Sequence, residues 1–340
     1  MITKRIINFS LLIIHSIIAQ AQLNWVNVDS LYQPLPSSVH IYYTNDKIDT
    51  AQFKAYYLIA DLNDKHLEFT VDTTLNRRLK PSEFYTKCRD ENPILNDCQY
   101  PLVVVNCTFF SFATNRSLNV VMQKGKLLAY NIHTVPGRGK DTLTYRHPLN
   151  SAFGLTKKRK ADIAWVFTDS SMKYPYAMQS TMDPVKDSLN KISFDYIYNK
   201  TSIITKPHEG KLSSSLKKWK MQTAVGGGPV LLQHGEIKIT NNEELKFAGR
   251  AINDKHPRTA MGYTKDGKLI ILVVQGRSES ASGATLEQEA KIFKDLGCWE
   301  ALNLDGGGSS CMLVNGKETI TPSDKEGQRP VPAVFIIKQK

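Results

Sequence analysis

The run Arg258-Thr259-Ala260-Met261-Gly262-Tyr263-Thr264-Lys265-Asp266-Gly267-Lys268-Leu269-Ile270-Ile271-Leu272-Val273-Val274 decides the fold. Two largely apolar segments flank Asp266-Gly267, a pair that tolerates the positive φ a tight hairpin turn requires. An antiparallel hairpin is therefore predicted here. Downstream, Thr285 and Gln288 form a capping box, and Leu286, Ala290, Phe293 and Leu296 follow at helical spacing until Gly297 stops the helix. The apolar run Ala301 to Leu304 reads as a buried strand, and Cys311 to Val314 is another, ending at the turn Asn315-Gly316.

The same signature recurs upstream. Val230-Leu231-Leu232 and Glu236-Ile237-Lys238 flank His234-Gly235, and Val120 to Met122 and Leu127 to Ala129 flank Lys124-Gly125. Val39 to Tyr43, Lys54 to Asp61, Leu67 to Asp72, Leu102 to Asn106 and Ile163 to Phe167 also read as strands, and Pro81-Ser82-Glu83 opens a short helix. Many hairpins and few helices predict an α+β fold of mixed, largely antiparallel sheets with a few packed helices, rather than a doubly wound one. The segment from about Thr134 to Lys220 is rich in Lys, Ser, Pro and Asn, and reads as an elaboration on the core.

The chain has 340 residues, 41% of them hydrophobic and 22% charged, which excludes disordered, collagen-like and disulfide-dense classes. Lys4 and Arg5, the apolar run Ile6 to Ile18 and Ala19-Gln20-Ala21 have the order of a secretory signal peptide over residues 1–21. The expectation is a secreted or periplasmic protein with no membrane span once the signal is removed. The net charge is +12 at pH 7, and losing Lys4 and Arg5 lowers it by two. That charge suits anionic partners, but no recognisable nucleic-acid module is present, so nucleic acid is not expected. Of five cysteines, Cys88 and Cys98 flank a polar loop and are the expected disulfide.

The sharpest chemical feature is Asn303-Leu304-Asp305-Gly306-Gly307-Gly308-Ser309-Ser310. Consecutive glycines let backbone N–H groups converge on an anion, and Ser309 and Ser310 add hydroxyl donors. Asp305, at the strand end, is placed to act as base, nucleophile or metal ligand. A plain glycine-rich turn capped by Asp305 is the competing explanation, but three glycines exceed what a turn needs. Gly227 and Gly228 in the run Gly226-Gly227-Gly228-Pro229 suit either substrate contact or tight backbone packing. Arg258, beside Thr259, offers a planar fork for a phosphate, as does Arg277 after Gln275-Gly276; a surface ion pair is the alternative for each. His256 is read as an ordinary surface histidine rather than a general base, and Glu287 as a helix-dipole partner. Asp305, Asn106 and a phosphate together would offer a divalent cation hard oxygen ligands, but their spacing fits no metal-loop pattern, so no metal or other cofactor is assigned.

Taken in order, Asn106-x-x-Phe109-Phe110, Gly226 to Val230, Arg258-Thr259-Ala260-Met261-Gly262, Gln275-Gly276-Arg277, Leu304 to Ser310, Pro322-Ser323-Asp324 and Arg329-Pro330-Val331 resemble the phosphodiester glycosidase family. The resemblance runs from about Phe53 to the C-terminus. It implies a family domain over 51–340, after an N-terminal extension at 22–50. The implied activity is hydrolysis of a sugar 1-phosphodiester at the anomeric C–O bond, giving free sugar and a phosphomonoester. Asp305, Arg258 and Gln275 are the candidate catalytic residues. Asn106, Gly227, Gly228, Thr259, Arg277, Gly306, Gly307, Gly308, Ser309 and Ser310 are the candidate substrate and phosphate contacts. Cys107 stands where the family more often has glycine, and Gln275 where it more often has Asp. A phosphodiesterase cleaving P–O and a non-catalytic module for an anionic envelope glycan are the other readings the sequence leaves open.

Overall fold

The computed structural model describes residues 23–91, 101–188 and 216–340. The expected signal peptide and Cys98, and with it the expected disulfide, lie outside the described residues. The decisive hairpin forms as Arg258–Tyr263 and Lys268–Gln275, paired antiparallel with Arg258 opposite Val274 and Tyr263 opposite Leu269. It occupies the middle of an eight-stranded sheet, between Lys54–Asp61 on one side and Glu300–Asn303 on the other. The capping box is present, with the Thr285 side chain accepting from the Gln288 N–H, and the helix spans Leu286–Asp295. Its apolar face covers one side of the sheet, where Leu286, Ala290 and Phe293 pack with Leu272, Val274 and Ala301.

A five-stranded sheet joins Val103–Asn106 to Met312–Val314 and Ala333–Gln339. A seven-stranded sheet holds Asn150–Leu155, Ala161–Phe167 and Thr223–Gly226. All the pairings between these strands are antiparallel, so the fold is α+β as the hairpin pattern implies. The inner faces meet in one core in which Phe153, Trp165, Met261, Leu304 and Phe335 are buried together. The 134–220 segment supplies central strands of the seven-stranded sheet. The strand expected from Ile163 forms within Ala161–Phe167, whereas Asn150–Leu155 is a buried strand that the surrounding polar loops had hidden.

Glu244 fastens the seven- and eight-stranded sheets together. Its buried carboxylate accepts from Ser151 N and Oγ, Trp165 Nε1, Val230 N and Thr240 Oγ1, at 2.7 to 3.1 Å. A buried carboxylate with every lone pair engaged is a stable arrangement, whereas deleting it would strand five donors.

Candidate active site

In the antiparallel register Ala260 lies opposite Asn303, so Arg258 at one strand's start and Asp305 just past the next strand's end emerge at the same edge. The Leu304 N–H donates to the Thr259 carbonyl at 2.8 Å and continues that pairing to the threshold of the site. Asn106, at the end of Val103–Asn106, brings in the five-stranded sheet. Its Nδ2 donates to the Asp305 carbonyl at 2.5 Å, and its Oδ1 accepts from Thr259 Oγ1 at 2.8 Å and Cys311 N at 3.1 Å. Asn106 and Thr259 thus tie strand ends together, and neither lines the cavity that opens here. They hold Asp305 in place rather than presenting groups to a ligand or a cation.

A cavity of about 210 Å³ opens at this edge, with Asp305 and the three glycines on one wall and Arg258, Arg277 and Arg329 around it. Phe109, Phe247, Ala251 and His256 complete the lining. Asp305 Oδ2 is covered and has no hydrogen-bond partner. Burial pushes the carboxyl up to about 7, against the opposing pull of the Ser309 hydroxyl, Arg329 and the Gly306 N–H. Among the described residues it is the only carboxylate in the lining, and its pKa lies near neutrality.

Arg258 is 2% exposed. Its Nε donates to the Ala284 carbonyl at 3.0 Å, its Nη2 to the Asp254 carbonyl at 3.3 Å, and its Cζ lies 5.4 Å from the Phe247 ring centroid. A fastened guanidinium presents a fixed positive charge to the cavity at little ordering cost. Beneath it, Glu289 is fully buried with Oε2 at 4.0 Å from Nε and neither oxygen hydrogen-bonded. Burial pushes the Glu289 carboxyl up to about 8, although Arg258 draws it down. Sequence reasoning passed over this residue for Glu287. The signal was there, because Glu289 falls on the apolar face shared by Leu286, Ala290 and Phe293, where a charge needs a reason.

Arg277 is exposed, with a positive φ of 59°, and its Nη2 lies 3.5 Å from His256 Nδ1. Burial, then Arg258 and Arg277, lower the His256 pKa, so this imidazole is neutral at neutral pH. Arg329 forms a bidentate pair with Asp324 at 2.7 and 2.9 Å, and its Nη1 reaches Ser309 Oγ at 3.5 Å. Phe247 and Lys246 carried no sequence signal. Lys246 lies 5.2 Å from the Phe109 ring centroid, its pKa lowered to about 8 by burial.

The glycine run works differently from an anion nest. Gly307 N donates to the Pro257 carbonyl, Ser309 N to Gly306 and Ser310 N to Gly307, so these three N–H groups already carry backbone bonds. The glycines serve close approach instead. A Cβ on Gly306 would stand 2.8 Å from the Pro257 carbonyl oxygen, and one on Gly308 would collide with the Arg329–Asp324 pair. Gly227 and Gly228 lie outside the cavity lining, packed against the Asn303 carbonyl and Glu244 respectively. Gln275 is also absent from the lining, and its Oε1 accepts from Thr321 N at 3.0 Å. Ser310 Oγ is buried without a partner. Among the described residues no group of three or more His, Cys, Asp or Glu side chains could hold a metal ion.

The phosphodiester glycosidase family model matches residues 100–338, which include every group lining the cavity. The chain belongs to this family. Among curated relatives, the Bos taurus N-acetylglucosamine-1-phosphodiester alpha-N-acetylglucosaminidase is 34% identical over 102 residues, 28% of this chain and 19% of that protein. An uncharacterized SPbeta prophage-derived protein of Bacillus subtilis, YomE, is 47% identical over 73 residues, 22% of this chain and 11% of its own length. The matched segments thus span less than a fifth of these relatives. The zebrafish N-acetylglucosamine-1-phosphodiester alpha-N-acetylglucosaminidase catalytic domain has a similar fold, with TM-score 0.57 and 20% identity over 91% of this chain and 85% of that one. A hypothetical protein from Synechocystis gives TM-score 0.60 at 14% identity, covering 89% of this chain and 62% of that one.

Proposed function

We propose that this member of the phosphodiester glycosidase family hydrolyses a sugar 1-phosphodiester at the anomeric C–O bond, releasing free sugar and a phosphomonoester. The observation that carries the reading is a carboxylate with one buried, unpartnered oxygen, on Asp305, in the wall of a cavity lined by three arginines. A phosphate monoester anion leaves readily, so little general-acid help is needed and one carboxylate suffices for the attack. Arg258 and Arg277 hold the phosphate and stabilise the negative charge that grows on it as the bond breaks. Asp305 delivers the attack on the anomeric carbon, directly or through a water it deprotonates, and the anomer released first distinguishes the two routes. An N-acetylglucosaminyl phosphodiester is the first substrate to try, given the names of the relatives.

Hydrolysis in ¹⁸O-water tests the bond that breaks. Attack at carbon leaves the released phosphomonoester unlabelled, whereas labelled phosphate would mean cleavage at phosphorus and would overturn the assignment. The absence of product above background would reduce the protein to a binding module for an anionic glycan.

We also propose that the protein is exported, with residues 1–21 removed and the family domain occupying 51–340 behind the 22–50 extension. No helix among the described residues is long and apolar enough to cross a membrane. Intact-mass analysis of the envelope or secreted fraction reads the new N-terminus; a form that retains Met1 to Ala21 would refute export by this route.

A further inference from the structure

We propose that Phe112, with Arg78 and Arg329 beside it, forms the subsite for the alcohol half of the diester, and that it takes a sugar ring bearing a second negative charge. This rests on the glycosidase reading of the cavity. Phe112 is 63% exposed, an unusual setting for a phenyl ring. It stands 4.8 Å centroid to centroid from Phe110, with Arg78 Cζ at 5.2 Å and Arg329 Cζ at 5.6 Å. Arg329 also lines the catalytic cavity, so one guanidinium borders both places and the phenyl ring is continuous with the cavity mouth.

The loop that carries Phe112 is held firmly. Ser111 N donates to the Arg116 carbonyl at 3.0 Å and Asn115 N to the Ser111 carbonyl at 2.8 Å. Thr108 and Ser117 hydroxyls pair at 2.9 Å, and Arg116 Nε donates to Asn76 Oδ1 at 3.1 Å. A rigid exposed aromatic loses little entropy on binding, which favours a docking role over chance exposure. The charges name the ligand class. Arg329 is neutralised by Asp324, whereas Arg78 stacks on Phe110 and Phe112 without an acidic partner in any ion pair among the described residues. An apolar ring face beside a guanidinium with no acidic partner among the described residues fits a sugar ring with an acidic substituent, as in the next unit of an anionic glycan.

Three diesters of N-acetylglucosamine 1-phosphate test this, esterified to methanol, to the 6-hydroxyl of methyl glucoside, and to the 6-hydroxyl of glucose 1-phosphate. The corresponding monoesters serve for calorimetric binding, which needs no turnover. Affinity should rise along each series. Phe112→Ala should remove about a five- to tenfold preference for the glucosides over the methyl compound, with Phe112→Trp retaining it and the melting temperature unchanged. Arg78→Gln should remove about a threefold advantage of the second phosphate, an advantage that also fades with salt. If Phe112→Ala alters all three compounds equally, or none, the subsite is refuted. Graded monoester binding without turnover of any diester would refute the glycosidase reading and leave the subsite standing. Turnover with no grading in binding would do the reverse.

Discussion

Replacing Asp305 by Asn should abolish turnover and at the same time stabilise the protein. The carboxyl is held at about 7 against an ordinary 3.8, with burial as the largest cause. A raised folded-state pKa means the native state binds more protons than the unfolded chain between about pH 4 and pH 7, so stability falls as pH rises through that window and is level above it. Three pKa steps correspond to about 4 kcal/mol at pH 8 if nothing relaxes, and roughly half that once cavity water screens the charge. Asn keeps the shape and has no charge to desolvate. The expected gain is therefore about 2 kcal/mol above pH 7, or about 3 °C for a chain of this size, shrinking towards zero at pH 4. Thermal melts of both proteins from pH 4 to pH 8.5 give the stability difference. Hydrolysis of an N-acetylglucosaminyl phosphodiester gives the other half, with an expected loss of about 10²-fold or more in kcat. An Asn variant that is less stable at pH 8, or a difference independent of pH, would refute the account of Asp305 as a desolvated carboxylate. Near-normal turnover would make it a structural cap.

Four further outcomes follow from the same geometry. In the unmodified protein kcat/KM should rise with pH to a plateau with an apparent pKa of about 7, because the attacking form of Asp305 is the ionised one; a flat profile from pH 5 to 9 would contradict it. Arg277→Ala should raise KM for the diester about tenfold with little change in melting temperature, since this exposed guanidinium contacts the cavity without anchoring the fold. Glu289→Gln should leave the fold intact and barely change KM at pH 7, where burial keeps this carboxyl largely protonated, and should raise KM only above about pH 8, where the native charge faces Arg258; a fivefold or larger loss at pH 6 would contradict that state of the carboxyl. Gly306→Ala should destabilise by about 1–3 kcal/mol, because the new Cβ meets the Pro257 carbonyl, a backbone atom that cannot turn aside. Denaturant melts check the last.

The hairpins were legible because local chemistry decides them. Asp266-Gly267 at a turn, the Thr285 and Gln288 cap, and the apolar runs of Lys54–Asp61 and Arg258–Tyr263 need no distant partner to be recognised. Asn150–Leu155 escaped notice because its run Asn-Ser-Ala-Phe-Gly-Leu has little apolar character, although all six residues are buried. Its burial depends on Glu244, 93 residues away, satisfying Ser151. The site was legible as a set of residues and illegible as a division of labour. Asn106, Thr259 and Gln275 have the polarity of ligand contacts, yet each is consumed by a bond to another chain segment. Sequence shows which donors exist, and only packing shows which remain uncommitted.

The glycine run shows why that distinction matters for the chemistry. A nest of backbone N–H groups would bind phosphate with partial charges fixed in one turn, whereas here those of Gly307, Ser309 and Ser310 already bond to backbone carbonyls. The positive charge comes instead from side chains on three separate segments, Arg258, Arg277 and Arg329, and the glycines clear the space in which they approach Asp305. This arrangement suits a reaction in which charge moves. In the proposed cleavage of the anomeric bond, negative charge would grow on the departing phosphate and positive charge on the sugar ring. Guanidiniums directed at the phosphate oppose the first, and a lone carboxylate across the cavity answers the second. A surplus of arginine would depress the Asp305 pKa and weaken it as a base. Pairing Arg329 with Asp324 limits that effect, and leaves burial free to hold the carboxyl near neutrality.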